Sequence, residues 1–253
     1  MLAIFKKGLV NPPQELNGPV SPQAAVSPKK SEEILKGFLS DAFNGFSIGF
    51  GDKALLAYTP LEPSFKAHQR LFCGVNDMYC IFLGSLNLCT LNRQYGLSKG
   101  SNEAMFLIEA YRTLRDRGPY PAHEVLKDLE GSFGFVIYDH KAETVFTALG
   151  ADDALKLYWG IAADGSVIIS DNVDLVKASC RKSFAPFPPG CMYHNERGLM
   201  SFEHPMNKMK AMPRIDSEGA ICGANFMVDA YSKVNSMPRV GSEANWANWG
   251  QQA

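Results

Sequence analysis

Side chains that could act as nucleophiles, bases or metal ligands are dispersed along this chain. Its six cysteines, Cys73, Cys80, Cys89, Cys180, Cys191 and Cys222, include no Cys-x-x-Cys pair, so neither a zinc ribbon nor a thioredoxin-type site is expected. In a reducing compartment they read as small buried hydrophobes. The five histidines, His68, His123, His140, His194 and His204, lack metal-ligand spacing and read as surface or hydrogen-bonding residues. No Gly-rich loop is placed to cradle a phosphate, and neither a metal nor another cofactor is expected. The densest charge motif is Leu114-Arg115-Asp116-Arg117. It reads either as a docking patch for a partner or second subunit, or as a helix end. In the second reading, which is favoured, the arginines sit on the dipole and Asp116 pairs locally.

Composition narrows the class. Hydrophobic residues make up 46% and charged residues 20% of the 253, which is globular rather than disordered. With 25 basic against 26 acidic residues, no basic excess exists for a nucleic acid to bind. No apolar run approaches the roughly 18 residues that span a bilayer, so no transmembrane segment is expected. The start, Met1-Leu-Ala-Ile-Phe-Lys-Lys, puts charge after a short apolar run, unlike a signal peptide, and a cytoplasmic or also nuclear location is expected.

The elements that must position any site follow from periodicity. Residues 2–5 suit a strand, and the Pro-, Ser- and Gln-rich stretch 11–30 an irregular surface excursion. Ser27 as N-cap and Pro28 at the first helical position open a helix carrying Ile34, Leu35, Phe38, Leu39 and Phe43 at helical spacing. Strands are expected at 46–50, 53–58 and 71–75, while 78–92 is apolar and ambiguous. The clearest helix runs from about Asn102 to Arg117, with Ala104, Leu107, Ile108, Tyr111 and Leu114 on one face and Gly118-Pro119 as its stop. A short helix holds Val125, Leu126 and Leu129. Strands at 133–139, 145–149, 155–161 and 167–170 then read as one antiparallel meander, and 171–179 as a helix. The last forty residues carry weak signals, and 240–253 is expected to be a weakly structured tail. The expectation is one α+β domain over 1–253, with helices layered on antiparallel sheets.

Four ordered stretches resemble the glutaminase domain of asparagine synthetases: Leu129-Glu-Gly-Ser-Phe, Leu157-Tyr-Trp-Gly160, Val167-Ile-Ile-Ser-Asp and Phe187-Pro-Pro-Gly190. Tyr95-Gly96-Leu97 and Leu114-Arg-Asp-Arg117 further resemble the signatures of a plant family, the aluminium-induced proteins with YGL and LRDR motifs, also called stem-specific or auxin-induced. The resemblance implies a class II glutamine amidotransferase-like domain of the N-terminal nucleophile type, a four-layer αββα sandwich.

It also implies where a site would lie. In active relatives a cysteine at position 2 is the nucleophile and its freed α-amino group the base. Leu2 stands there, with no nucleophilic atom, and its bulk should keep Met1 in place. The oxyanion-donor pair of the active enzymes corresponds to Val75-Asn76 or, slid by one, Asn76-Asp77. Asn102 or Glu103 stands near the residue that binds the substrate ammonium, and Lys53 is the nearest candidate for its carboxylate grip. Val75, Asn76, Asp77, Asn102 and Glu103 are thus the candidate pocket, and Cys73 and Cys80 flank it. The Arg-Asp pair after the second meander strand is replaced by Gly150-Ala-Asp-Asp153. The synthetases' ATP-pyrophosphatase domain has no counterpart in these residues, so asparagine synthesis is not expected.

The reading that results is a stress- or hormone-responsive plant protein on a degenerate amidotransferase-like fold. It would be non-catalytic, binding a small amino-acid-like ligand or a protein partner, and homodimeric. The alternative is a glutaminase-like amide hydrolase using a different nucleophile.

Overall fold

The computed structural model describes residues 1–17, 30–40, 44–60, 68–87, 102–117, 122–215, 219 and 221–234. Ser27, Pro28, Phe43, Tyr95-Gly96-Leu97, Gly118-Pro119 and the 240–253 tail lie outside them. Two compact units are present. The first comprises Met1–Ser64, Lys156–Pro188 and Lys210–Met227; the second comprises Phe65–Leu155, Pro189–Met209 and Val228–Ala253.

The first unit is built on a six-stranded antiparallel sheet with β1 (Leu2–Phe5) at its middle. On one side lie β3 (Ala54–Tyr58) and edge strand β2 (Phe46–Phe50); on the other lie β9 (Val167–Ser170), β8 (Tyr158–Ile161) and β10 (Phe184–Pro186). All four residues of β1 are buried, as a continuous apolar strand with a neighbour on each side should be. Leu2 and Ile4 join a core with Ile34, Val176, Cys180 and Phe184. Ile34 comes from helix α1 (Ser31–Ser40), and Val176 and Cys180 from helix α4 (Val173–Cys180). Asn172 caps α4, its side chain accepting from the Leu175 N–H at 3.1 Å. Gly160 lets α4 approach β8, because a Cβ there would lie 2.7 Å from Cys180 Sγ.

The second unit holds another six-stranded antiparallel sheet, in the order β12-β11-β7-β6-β5-β4. Its strands are β4 (Gln69–Val75), β5 (Met78–Leu86), β6 (Gly131–Asp139), β7 (Thr144–Leu149), β11 (Cys191–His194) and β12 (Gly198–Ser201). Helices α2 (Glu103–Arg117) and α3 (Ala122–Lys127) supply Leu107, Ile108, Tyr111 and Leu126 to a core with Phe82, Phe135 and Phe146. Gly131 is required by backbone: its φ is +126°, and a Cβ would strike the Ser85 carbonyl of β5.

The α+β class with antiparallel sheets holds. Three expectations change. The ambiguous stretch 78–92 begins as the nine-residue strand β5, because a buried strand between two neighbours carries an unbroken apolar run that imitates a helix. The expected meander is two hairpins: β6–β7 belongs to one sheet and β8–β9 to the other. Short turns fix pairing within a hairpin and say nothing of which sheet the next hairpin joins. Strands β13 (Asn207–Ile215) and β14 (Ile221–Lys233) pair as a two-stranded ribbon, and β14 falls within the last forty residues, where only weak signals were expected. Among the described residues no helix is long and apolar enough to cross a membrane.

Candidate functional site

Leu2 is fully buried in the centre of its sheet, opposite Ala57 of β3 and Ser170 of β9, and its side chain is a core member rather than the wall of an opening. The Met1 α-amino group donates to Asp171 Oδ1 at 2.6 Å, and the Met1 carbonyl accepts from Ser170 Oγ at 2.7 Å. Lys53 is exposed next to the start of β3.

In the second unit, Val75, Asn76, Asp77 and Met78 form the two-residue turn of the β4–β5 hairpin. Asn76 and Asp77 take φ of +50° and +62°, the left-handed pair of a type I′ turn, and both are exposed. Val75 offers no donor side chain and packs against the core. Asn102 and Glu103 sit elsewhere. Asn102 Oδ1 accepts from the Met105 N–H at 2.9 Å at the start of α2, and Glu103 accepts from Gln69 Nε2 at 2.5 Å. Gln69 is the first residue of β4 and Val75 the last, a separation of roughly 20 Å. The five residues therefore form two groups at opposite ends of one strand, not one cluster.

Cys73 and Cys80 are cross-strand partners. Burial pushes both thiols above their usual range, for Cys80 well above. A thiol so shifted is a poor nucleophile at neutral pH. Cys180 and Cys191 are buried too, and burial raises each to about 12.

The other end of α2 is where groups converge. Arg115 bonds Asp116 at 2.8 Å, as a helix-end reading requires, but its Nη1 also donates to Asp139 Oδ2 at 2.6 Å. Asp139 is fully buried at the end of β6. It accepts from the Tyr111 hydroxyl at 3.4 Å and from the Ala142 N–H at 2.9 Å. The His140 N–H donates to the Asp77 carbonyl at 2.8 Å, so the β6–β7 and β4–β5 turns are joined beside this ion pair. Burial, then the Asp139 charge, lifts the Tyr111 phenol to about 12. Asp139 was not singled out in the sequence; a carboxylate closing an apolar strand was the available signal.

Beside this pair opens a cleft of about 490 Å³ contained in the second unit. Its apolar lining includes Tyr111, Leu114, Ala122 and Phe146, with the Tyr111 and Phe146 rings stacked 6.2 Å apart. Its polar lining comes from Arg115, Thr144, His194, Glu196 and Arg197. The Glu196 N–H donates to His194 Nδ1 at 3.2 Å. Burial, aided by the Arg197 charge, lowers His194 to about 4, so its ring is neutral at pH 7. Loss of hydration lowers Arg197 to about 10, which Glu196 offsets only in part. Of the five histidines His194 lines this cleft, and His123 pairs with Glu124 at 3.3 Å. Among the described residues no three His, Cys, Asp or Glu side chains converge as a metal site.

A stem-specific protein of Nicotiana tabacum is 39% identical over 162 residues, covering 58% of this chain and 99% of that protein. A probable glutamine-hydrolysing asparagine synthetase of Dictyostelium discoideum is 40% identical over 62 residues, and one of Zea mays 33% over 75. The matches span only 11% and 13% of those synthetases. Among solved structures, the glutamine phosphoribosylpyrophosphate amidotransferase of B. subtilis is 14% identical with a TM-score of 0.47, covering 82% of this chain and 50% of that one. The profile of the family described as "Aluminium induced protein" matches residues 2–228, and the chain belongs to that family.

Proposed function

We propose that this protein is a non-catalytic, stress- or hormone-responsive plant protein that uses an amidotransferase-like fold to bind a small amino-acid-like ligand or a protein partner. One observation carries the reading: at the position matching the nucleophile of active glutamine amidotransferases stands Leu2, an inert side chain sealed into the core. A nucleophile has to reach substrate, and a fully buried aliphatic residue does not. In this reading the chain works as one domain, as a homodimer, in the cytoplasm and nucleus. A hydrolase using another nucleophile is the alternative. The raised thiols of Cys73 and Cys80 and the separation of Asn76 and Asp77 from Asn102 and Glu103 weigh against it.

The test is ammonia and glutamate release from glutamine by wild type and Leu2→Cys. Silence is expected from both, because the introduced thiol would face the α1–α4 core. Release by wild type overturns the proposal and directs attention to Cys73 and Cys80.

A further inference from the structure

We infer that edge strand β2 pairs two copies of this chain, antiparallel about a two-fold axis at Ile48, so that their two first-unit sheets run on as one. This rests on the homodimer part of the reading above and names the face that forms it.

The strand reads Phe46-Ser-Ile-Gly-Phe50, the same order of large and small side chains from either end. Set antiparallel against itself, it brings Phe46 opposite Phe50 of the second copy, Ser47 opposite Gly49, and Ile48 opposite Ile48. It carries no charge and no proline, so no like charges meet and no ladder bond is blocked. The other edge of this sheet is closed to such pairing. There β10 has three residues, Pro186 among them, and its Phe184 carbonyl accepts from Arg214 Nη2 at 2.9 Å.

The backbone of β2 is turned the right way. The Phe50 carbonyl accepts from the Lys53 N–H at 3.2 Å, which points the polar groups of Phe50 toward β3. Alternation along the antiparallel ladder then turns those of Ser47 and Gly49 outward. Both residues are exposed, and among the described residues no hydrogen bond reaches either from that outer side. The Ile48 register joins Ser47 to Gly49 both ways round with about four hydrogen bonds, and sliding the strands by two residues halves that number. Phe46, 40% exposed beside the Tyr58 ring, gains Phe50 of the second copy as a cross-strand aromatic neighbour. Pairing of this kind closes at two copies. Five residues a side fall short of the roughly 20–30 of a stable interface, so a Kd of about 10 μM is expected.

Sedimentation velocity on the full chain from about 1 to 100 μM reads this equilibrium. Gly49→Pro removes an outward N–H, leaves the β2–β3 ladder whole, and should weaken association at least about 10-fold. A Cβ at Gly49 meets nothing within 4 Å, so larger residues fit there. Ser47→Lys combined with Gly49→Lys sets like charges opposite each other and should also dissociate the pair. Ser47→Glu combined with Gly49→Lys sets opposite charges there and should keep the dimer. Near-UV circular dichroism confirms that each variant is folded. A dimer that ignores Gly49→Pro, the two charge variants behaving alike, or a species larger than a dimer overturns the inference and leaves self-association to another face. A wild type still monomeric at about 100 μM overturns it together with the homodimer, and leaves β2 to an extended segment of another protein. Glutamine hydrolysis by wild type sinks the non-catalytic reading instead and does not touch the pairing.

Discussion

Replacing Arg115 tests what the Leu114-Arg115-Asp116-Arg117 motif does. If it were only a helix end, Arg115 and Asp116 would matter equally and little. The structure makes Arg115 the countercharge of a fully buried carboxylate, Asp139, at 2.6 Å. At an effective dielectric of 20 that contact is worth about 6 kcal/mol before desolvation. The Arg115 side chain keeps 34% of its exposure, so water recovers a large part of this. Arg115→Met keeps the aliphatic stem and leaves Asp139 only the Tyr111 hydroxyl and the Ala142 N–H. The expected loss is about 2–4 kcal/mol, somewhat below the roughly 3–5 kcal/mol of a fully buried pair because Arg115 is part exposed. Asp139→Asn removes the charge with its shape kept and should cost about 1 kcal/mol. The double variant should be better than additive by about 1.5 kcal/mol or more. Exposed Asp116→Ala should leave stability unchanged. Urea midpoints at constant slope provide the measurement. A loss below about 0.5 kcal/mol for Arg115→Met, or additivity with Asp139→Asn, would refute the keystone role.

Other outcomes follow from the same geometry. His194 is held near 4 in the folded chain and rises to about 6.5 when unfolded, so the unfolded state takes up the extra proton between those values. Its contribution is full above pH 6.5 and fades as pH falls to about 4, a loss of about 3 kcal/mol that a His194→Gln chain should not show in pH-dependent unfolding. Burial alone would raise Asp164, but hydrogen bonds from Ser31, Ser166 and Lys6 hold it well below the carboxylate range. That stabilisation is present above about pH 4 and lost below it, and Asp164→Asn should flatten the acid limb of a melting-temperature profile. Gly131→Ala should cost at least about 2 kcal/mol in chemical denaturation, from the left-handed backbone and the Ser85 carbonyl together. Leu2→Cys should cost about 1–3 kcal/mol through lost packing with Ile34 and Val176, read as a lowered urea midpoint.

Local pattern was enough for much of this chain. The 3.6-residue spacing of Ala104, Leu107, Ile108 and Tyr111 specified α2, and all four are buried. Alternation placed Phe133, Phe135 and Ile137 on one face of β6, where they share a core. The glycines of the family-like motifs acquire reasons only in three dimensions: Gly131 for its backbone angle, Gly160 for the approach of α4. The inertness of position 2 was legible from Leu2 itself, since an aliphatic side chain has no lone pair to offer. Its burial among Ile34 and Val176 was not, because α1 and α4 are distant in sequence.

Long-range partnership separates the two kinds of knowledge. Residue type and period fix what each segment becomes, because helix and strand form from neighbours a few positions apart. Sheet membership of the β8–β9 hairpin, the splitting of the five aligned residues along β4, and the capture of Asp139 by Arg115 all join segments far apart in sequence. Such contacts depend on which buried surfaces and charges satisfy each other best across the whole chain. The cleft is the clearest case: α2, β7 and the β11–β12 turn each supply part of it, and no one segment carries its signature.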